Sequence, residues 1–282
     1  MINYDSVPVI KAFLEAHDFA PQKKFGQNFL INGNARKKLI SALGVQPGDE
    51  VWEVGGGLGA MTTLLLDTGC NLTVFEIDTG YVKILNSFFG GRDNFRIIEG
   101  NVLKTWKNVK SAPKMLFGNL PYNIAATLFA DFIEEGFFFE NGVITVQKDV
   151  ERRMTATPGS KDYSSFTVLC QSAYDVKLHM NLPGSYFWPQ PNVTSASVVF
   201  KKALKPCEHR DFLPKFLRGI FSSRRKTVKN NLCNFCKSLG KDGEIGEKII
   251  SAAKIDENSR SETFSVTQLL EISDIAYEIL FP

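Results

Sequence analysis

Long apolar runs are missing from this chain, and so is the basic, apolar-cored start of a signal peptide; it opens Met1-Ile2-Asn3-Tyr4-Asp5. The first absence excludes a transmembrane helix, the second a secretory leader. Together they read as a cytoplasmic protein with no membrane partner. Cysteine is scarce and odd in number: Cys70, Cys170, Cys207, Cys233 and Cys236. A disulfide framework is therefore not expected. Cys233 and Cys236 form a C-x-x-C, and Cys207-Glu208-His209 offers further ligands, but the spacing fits no standard zinc finger. Buried thiols acting as small hydrophobes are the better reading, and no metal is expected. Histidine is rarer still, and His17, His179 and His209 are scattered, so no nucleophile triad can be assembled from the sequence. Internal repeats and low-complexity tracts are also lacking.

What is present is apolar bulk. The 282 residues are 44% hydrophobic and include 23 Phe, enough for a sizeable core in one or two domains. The net charge of +3 is unevenly spread: residues 1–200 carry 18 basic against 19 acidic groups, residues 201–282 carry 15 against 11. Between Lys201 and Lys229 ten basic residues face only Glu208 and Asp211. A basic excess after a neutral region points to a polyanion, although any one such residue can be part of a merely solvated face.

Short apolar strands alternate with helical stretches. Strands are expected at 50–54, 72–76, 95–98, 115–117 and 143–146, with helices between them. Two later strands, 176–180 and 196–200, form an antiparallel edge. The alternation predicts an α/β, doubly wound, mostly parallel sheet. The N-terminal 1–20 reads as an amphipathic helix with Val9, Ile10, Phe13 and Leu14 on one side, stopped by Pro21. The segment 22–30 has no period and reads as a loop or arm. Beyond Phe200 the pattern is helical only, at about 210–222, 225–239, 244–253 and 265–280. The expected domains are 1–203, with the sheet and the N-terminal arm, and a smaller all-helical 204–282.

Two loops at strand ends carry chemistry. Gly55-Gly56-Gly57-Leu58-Gly59 follows the first strand of the sheet, and Glu76 ends the next. Glycines let backbone approach a ligand, and an acid about 20 residues on accepts ribose hydroxyls. The loop fits two patterns: G-x-G-x-x-A of nicotinamide dinucleotide sites, and E-x-G-x-G-x-G of S-adenosylmethionine-dependent methyltransferases. Glu53, two residues before the first glycine, favours the second, because a carboxylate there suits an ammonium and not a pyrophosphate. Asn101, after the third strand, offers an acceptor to an adenine amine. The other loop is Gly118-Asn119-Leu120-Pro121-Tyr122-Asn123, where an amide, a fixed backbone and an aromatic ring suit a flat polar ligand. Its plain alternative is a strand-end turn with a half-buried Tyr.

These stretches, taken with Gln27-Asn28-Phe29-Leu30, Phe75-Glu76-Ile77-Asp78, Phe187-x-Pro189-x-Pro191-x-Val193-x-Ser195 and the basic run Phe221 to Leu232, resemble the bacterial small-subunit (16S) ribosomal RNA adenine N6,N6-dimethyltransferases. The resemblance spans nearly the whole chain. It implies a Rossmann-like S-adenosylmethionine-dependent methyltransferase sheet with a helical RNA-binding domain, acting as a monomer on 16S rRNA in the 30S subunit. It implies that Gln27, Asn28, Leu30, Glu53, Gly55, Gly57, Glu76, Ile77, Asn101, Val102 and Asn119 meet S-adenosyl-L-methionine. Asn119, Leu120, Pro121 and Tyr122 would hold the target adenine, with Phe187 stacking on its other face. Arg218, Arg224, Arg225, Lys226 and Lys229 would meet RNA phosphates, with Lys23 and Lys24 beside the cofactor lid. Gly118 would leave space for a monomethylated amine. Two positions depart from the family: Asn101 stands where Asp is usual, and Asn192 where a basic residue is common.

Three alternatives are weighed against this. The related large-subunit (23S) methyltransferases share the chemistry, but the glycine run and the 221–232 segment favour the small-subunit group. A nicotinamide-dependent oxidoreductase leaves Asn119-Leu120-Pro121-Tyr122 without a role. A non-catalytic RNA-binding factor leaves the intact glycine loop unexplained.

Overall fold

The computed structural model describes residues 2–17, 19 and 27–282. The Pro21 stop and the Lys23-Lys24 pair lie outside the described residues. By contact the chain divides into two units. One comprises 1–129, 137–151 and 177–202, the other 130–136, 152–176 and 203–282.

The first unit is built on a seven-stranded sheet. Its strands are β2 (Glu50–Val54), β3 (Asn71–Glu76), β4 (Phe95–Glu99), β5 (Met115–Asn119), β6 (Asn141–Gln147), β7 (Tyr174–Leu182) and β9 (Ser195–Lys202), in the order β4-β3-β2-β5-β6-β9-β7. From β4 through β6 every neighbouring pair is parallel, and β9 runs antiparallel to β6. The mostly parallel sheet with an antiparallel edge is thus as expected. In β5, Met115 to Gly118 are all buried, as a central strand covered on both faces requires. The core on one face joins Val51, Leu65, Leu72, Val74, Leu85, Phe117 and Val143. Trp52, on the alternate register, packs instead against Phe75, Phe137 and Phe139 at 4.6, 5.3 and 5.8 Å between ring centres. The abundance of Phe is spent on such clusters.

The helices start where side chains can satisfy free backbone N–H groups. Asn32 caps α2 (Gly33–Leu43) by accepting from Ala35, and Asp78 caps α4 (Thr79–Phe89) by accepting from Gly80. The N-terminal helix α1 (Val7–Ala16) is shorter than expected and ends at a His17 cap. Its inward face is Ile10 and Leu14, packed with Leu58, Tyr81 and Ile84. Val9 is 41% exposed, so the expected apolar side is narrower than the sequence suggested. Past it, Phe29–Leu30 forms a two-residue strand β1, paired antiparallel with β8 (Phe187–Trp188). The sequence, which shows no period over 22–30, predicts a loop or arm here; the pairing with β8 makes Phe29–Leu30 a strand.

The second unit is helical. Its α9 (Leu213–Ile220), α10 (Val228–Ser238), α11 (Ile245–Ala253) and α12 (Val266–Leu280) match the four expected helices within a few residues, and α8 (Ser165–Ala173), not foreseen, joins them. Helix α10 packs on α9 and α11, and α12 on α8, α9 and α11. Ser265 and Gln268 form a capping box at the start of α12.

Candidate functional site

In an open parallel sheet, ligands bind beyond the carboxyl ends of the strands where the order reverses. Here that point lies between β2 and β5. Val54 is paired with Gly118, so the glycine loop and Asn119 leave the sheet side by side. A cavity of about 320 Å³ opens there, in the range of small-ligand sites. Gln27, Asn28, Leu30, Glu53, Gly55, Gly57, Glu76, Ile77, Asn101, Val102, Asn119 and Pro121 all line it. Leu120, Tyr122 and Phe187 do not.

The glycine loop is held from below. Gly57 adopts φ 51°, where a side chain is strained, and a Cβ there would come within 3.3 Å of the Phe29 ring. The Gly57 N–H donates to Glu76 Oε2 at 2.9 Å, while Glu76 Oε1 accepts from the Asp78 N–H at 2.9 Å. Tyr4 Oη donates to the Leu58 carbonyl at 2.9 Å, tying the N-terminal segment to the loop. Arg36 fixes that segment through Asp5 and the Leu30 carbonyl, at 2.8 and 2.7 Å. Gln27 Nε2 donates to Asp78 Oδ2 at 3.0 Å.

Two buried carboxyls face this cavity. Glu53 is 1% exposed, and burial pushes its pKa up to about 8. The Thr62 hydroxyl, donating at 2.7 Å, opposes that shift, and the Glu76 charge adds to it. Glu76, 5% exposed, is also raised by burial, against the pull of the backbone N–H groups that it accepts. A buried acid on a cavity wall is stabilised by a cation or by hydroxyl donors arriving there. The methionine ammonium and the ribose hydroxyls of S-adenosylmethionine are such groups. Tyr81 also lines the cavity, and its hydroxyl is buried without a partner among the described residues. The donor set therefore fits that cofactor.

Asn119 is held at both ends. Its Nδ2 donates to the Asn28 carbonyl at 3.1 Å, and its Oδ1 accepts from Thr145 Oγ1 at 2.5 Å. The Asn28 carbonyl can only accept, so the amide cannot turn over. Its oxygen keeps one lone pair for a ligand. Thr145, 1% exposed on β6, is a residue that sequence reading missed; only the β5–β6 register, pairing Asn119 with Thr145, reveals it. Asn101 contrasts with this. It caps α5 (Val102–Thr105), its Oδ1 accepting from the Leu103 N–H at 3.0 Å. The acceptor assigned to the adenine amine is the one that the cap uses.

The expected target-base walls are placed differently. Leu120 is 3% exposed, and its side chain folds back over Gly118, where a Cβ would meet it at 2.6 Å. The small residue at 118 thus makes room for Leu120, which explains its presence without an incoming methyl group. Tyr122, half-buried, bonds through its hydroxyl to Ser195 Oγ at 2.5 Å. Phe187 is 3% exposed within the core, because pairing with Leu30 turns it inward. Beside it, Trp188 stacks on Phe29 at 6.1 Å.

In the helical unit, the five basic residues part company. Arg218 pairs with Glu134 at 2.8 Å. Arg224 donates to the carbonyls of Ser160, Lys161 and Tyr163. Lys229 bridges Glu247 and Glu257 at 3.1 and 2.9 Å. Arg225 and Lys226 are exposed. The cysteines and His209 do not gather as a metal site. Among the described residues the group with metal-ligand spacing is Glu208, His209 and Glu278. Burial raises the thiols of Cys207 and Cys236 to about 12 and about 11.

The sheet order and the cavity at its reversal define a Rossmann-like fold with a ligand site at its switch point. Among solved structures, a dimethyladenosine transferase from Plasmodium falciparum shares the fold at TM-score 0.72, with 23% identity over 86% of this chain and 94% of that one. The 23S rRNA methyltransferase ErmE shares it at TM-score 0.64, with 19% identity over 87% and 98%. The model of the ribosomal RNA adenine dimethylase family matches residues 19–277. The ribosomal RNA small subunit methyltransferase A of Treponema denticola is 45% identical over 97% of this chain and 95% of its own length. That of Treponema pallidum (strain Nichols) is 40% identical over 99% of both. The chain belongs to the ribosomal RNA adenine dimethylase family.

Proposed function

We propose that this protein transfers methyl groups from S-adenosyl-L-methionine to the N6 amine of two adjacent adenosines in 16S rRNA of the 30S subunit, dimethylating each. It works as a cytoplasmic monomer and contributes to small-subunit biogenesis. The observation that carries the reading is Asn119, whose oriented amide borders the same cavity as the glycine loop and Glu53.

The cofactor supplies an electrophilic sulfonium methyl. Glu53 would take its ammonium, Glu76 its ribose, and Ile77 and Val102 would flank its adenine. The target amine is a poor nucleophile, since its lone pair is delocalised into the ring. Positioning therefore outweighs acid–base chemistry. The Asn119 oxygen and the Leu120 carbonyl accept hydrogen bonds from the amine, draw it toward tetrahedral geometry and aim the lone pair at the methyl. This interaction is strongest in the transition state. The base leaves its stack to enter, with Tyr122 against its ring. Arg225 and Lys226 meet phosphates, giving affinity but little sequence choice.

The test is label transfer from tritiated S-adenosylmethionine to isolated 30S and 50S subunits from a strain lacking the modification. The reading expects label in the 30S particle alone. Label confined to 50S would assign the protein to the large-subunit reaction instead.

A further inference from the structure

Tyr81 ends in a buried hydroxyl that takes no part in the methyl transfer described above. It lies in the first turn of α4, after the Asp78 cap, and is 2% exposed. Its ring lies edge-on to Phe29 at 5.9 Å and tilted to Phe19 at 6.4 Å. A Cβ at the preceding Gly80 would run into Phe19 at 2.4 Å, so the turn is packed tight. Yet the hydroxyl at the end of this fixed ring has no hydrogen-bond partner among the described residues, although Tyr81 lines the cavity. Buried hydroxyls in folded proteins are nearly always paired. An unpaired one on a residue that lines a cavity is a candidate partner for a ligand atom.

The surroundings narrow the ligand. After burial, the charges that hold the Tyr81 proton in place are Asp78 and Glu76. Each Glu76 oxygen already accepts one backbone N–H, from Gly57 or from Asp78. The remaining lone pairs of Glu76 can take only donors. Asp78 is likewise engaged, by the Gly80 N–H and by Gln27. A ligand hydroxyl that gives its proton to Glu76 still has lone pairs on its oxygen, and a phenol beside it can donate to one of them. Two such bonds in series polarise each other.

We infer that Tyr81 is an additional cofactor-binding residue, its hydroxyl donating to the ribose hydroxyl oxygen whose own proton goes to Glu76. The site is thereby selective for a nucleoside with an intact ribose diol. This rests on the reading of the cavity as an S-adenosylmethionine site. It adds a contact that the glycine loop and Glu76 do not supply.

The test is calorimetric titration of the full-length protein and of Tyr81→Phe with S-adenosylhomocysteine and with its 2′-deoxy and 3′-deoxy ribose counterparts. The substitution keeps the ring and removes one oxygen. Because that oxygen has no protein partner among the described residues, the melting temperature of the ligand-free variant is expected to be unchanged or raised. Affinity for S-adenosylhomocysteine is expected to fall about five- to tenfold, the size of one neutral hydrogen bond. With one of the two deoxy ligands the difference between the two proteins disappears, which identifies the hydroxyl concerned. Equal affinities for S-adenosylhomocysteine would overturn the inference. So would an equal loss with all three ligands, or a lowered melting temperature, each of which marks a structural hydroxyl. Absence of binding to the unaltered protein would overturn the cofactor reading itself, and this inference with it.

Discussion

Glu53→Gln separates the charge of the buried acid from its shape. The amide retains an oxygen for the Thr62 hydroxyl, so the local packing is preserved. In the native protein the folded carboxyl titrates near 8, against about 4.5 when unfolded. The unfolded chain gives up its proton first, so between those values the folded state binds more protons and stability falls as pH rises. Over the full window the shift corresponds to about 5 kcal/mol. Glu76 titrates in the same direction, so the informative quantity is the difference between native protein and variant. Urea unfolding across pH 5 to 8 is expected to show a smaller decline in Glu53→Gln. Ligand binding reverses the sense of the effect. At pH 7 a group with a pKa near 8 is about nine-tenths protonated. An arriving ammonium favours the carboxylate, so uptake of S-adenosylhomocysteine expels close to one proton from Glu53. Calorimetry in two buffers of different ionisation enthalpy would measure it. Affinity should rise almost tenfold from pH 6 to 7 and flatten above 8, with a shallower rise in the variant. A flat native profile, or the same slope and proton release in both proteins, would refute the assignment of Glu53 to the ammonium.

Four further outcomes rest on contacts at the site and in the helical unit. Thr145→Val removes the donor that orients Asn119, at a cost of about 1 kcal/mol in the transition state; kcat should drop about fivefold while S-adenosylhomocysteine affinity is unchanged. Asn101→Asp supplies a second oxygen, so that one caps Leu103 and the other meets the adenine amine; calorimetry should show binding about tenfold tighter. Arg225→Ala and Lys226→Ala should each weaken RNA binding and reduce its salt slope by about one. Arg224→Ala should leave that slope unchanged and lower stability by about 1–2 kcal/mol in a urea titration, since its partners are three backbone carbonyls.

The sheet was legible because its strands are short apolar runs punctuated by glycine, Asn and Pro. Less of the connecting structure was. Helix α8 is buried all round at Phe166, Thr167, Val168, Leu169 and Cys170, so no polar face marks its period. The β1 strand is two residues long and exists only because Phe187–Trp188, far along the chain, supplies its partner. That pairing also decides Phe187. The motif containing it could be read from the sequence, but its inward direction depends on the register with Leu30. At the cavity, the glycine loop and Glu76 were readable because one short segment carries each. Thr145 and Tyr81 were not, because a Thr in a strand and a Tyr in a helix carry no signal until the neighbouring elements are in place. The basic run was readable as charge, whereas the intramolecular partners of Arg224 and Lys229 appear only in the packed helices.

In the proposed mechanism Asn119 aims an adenine amine at a methyl donor held by the glycine loop. The most direct measurement is nucleoside analysis of 16S rRNA after incubation of undermethylated 30S particles with S-adenosylmethionine and either the native protein or Asn119→Ala. The native protein is expected to yield N6,N6-dimethyladenosine. With the variant the rate is expected to fall by about 100-fold or more. No N6,N6-dimethyladenosine with the native protein, or normal dimethylation with Asn119→Ala, would contradict it.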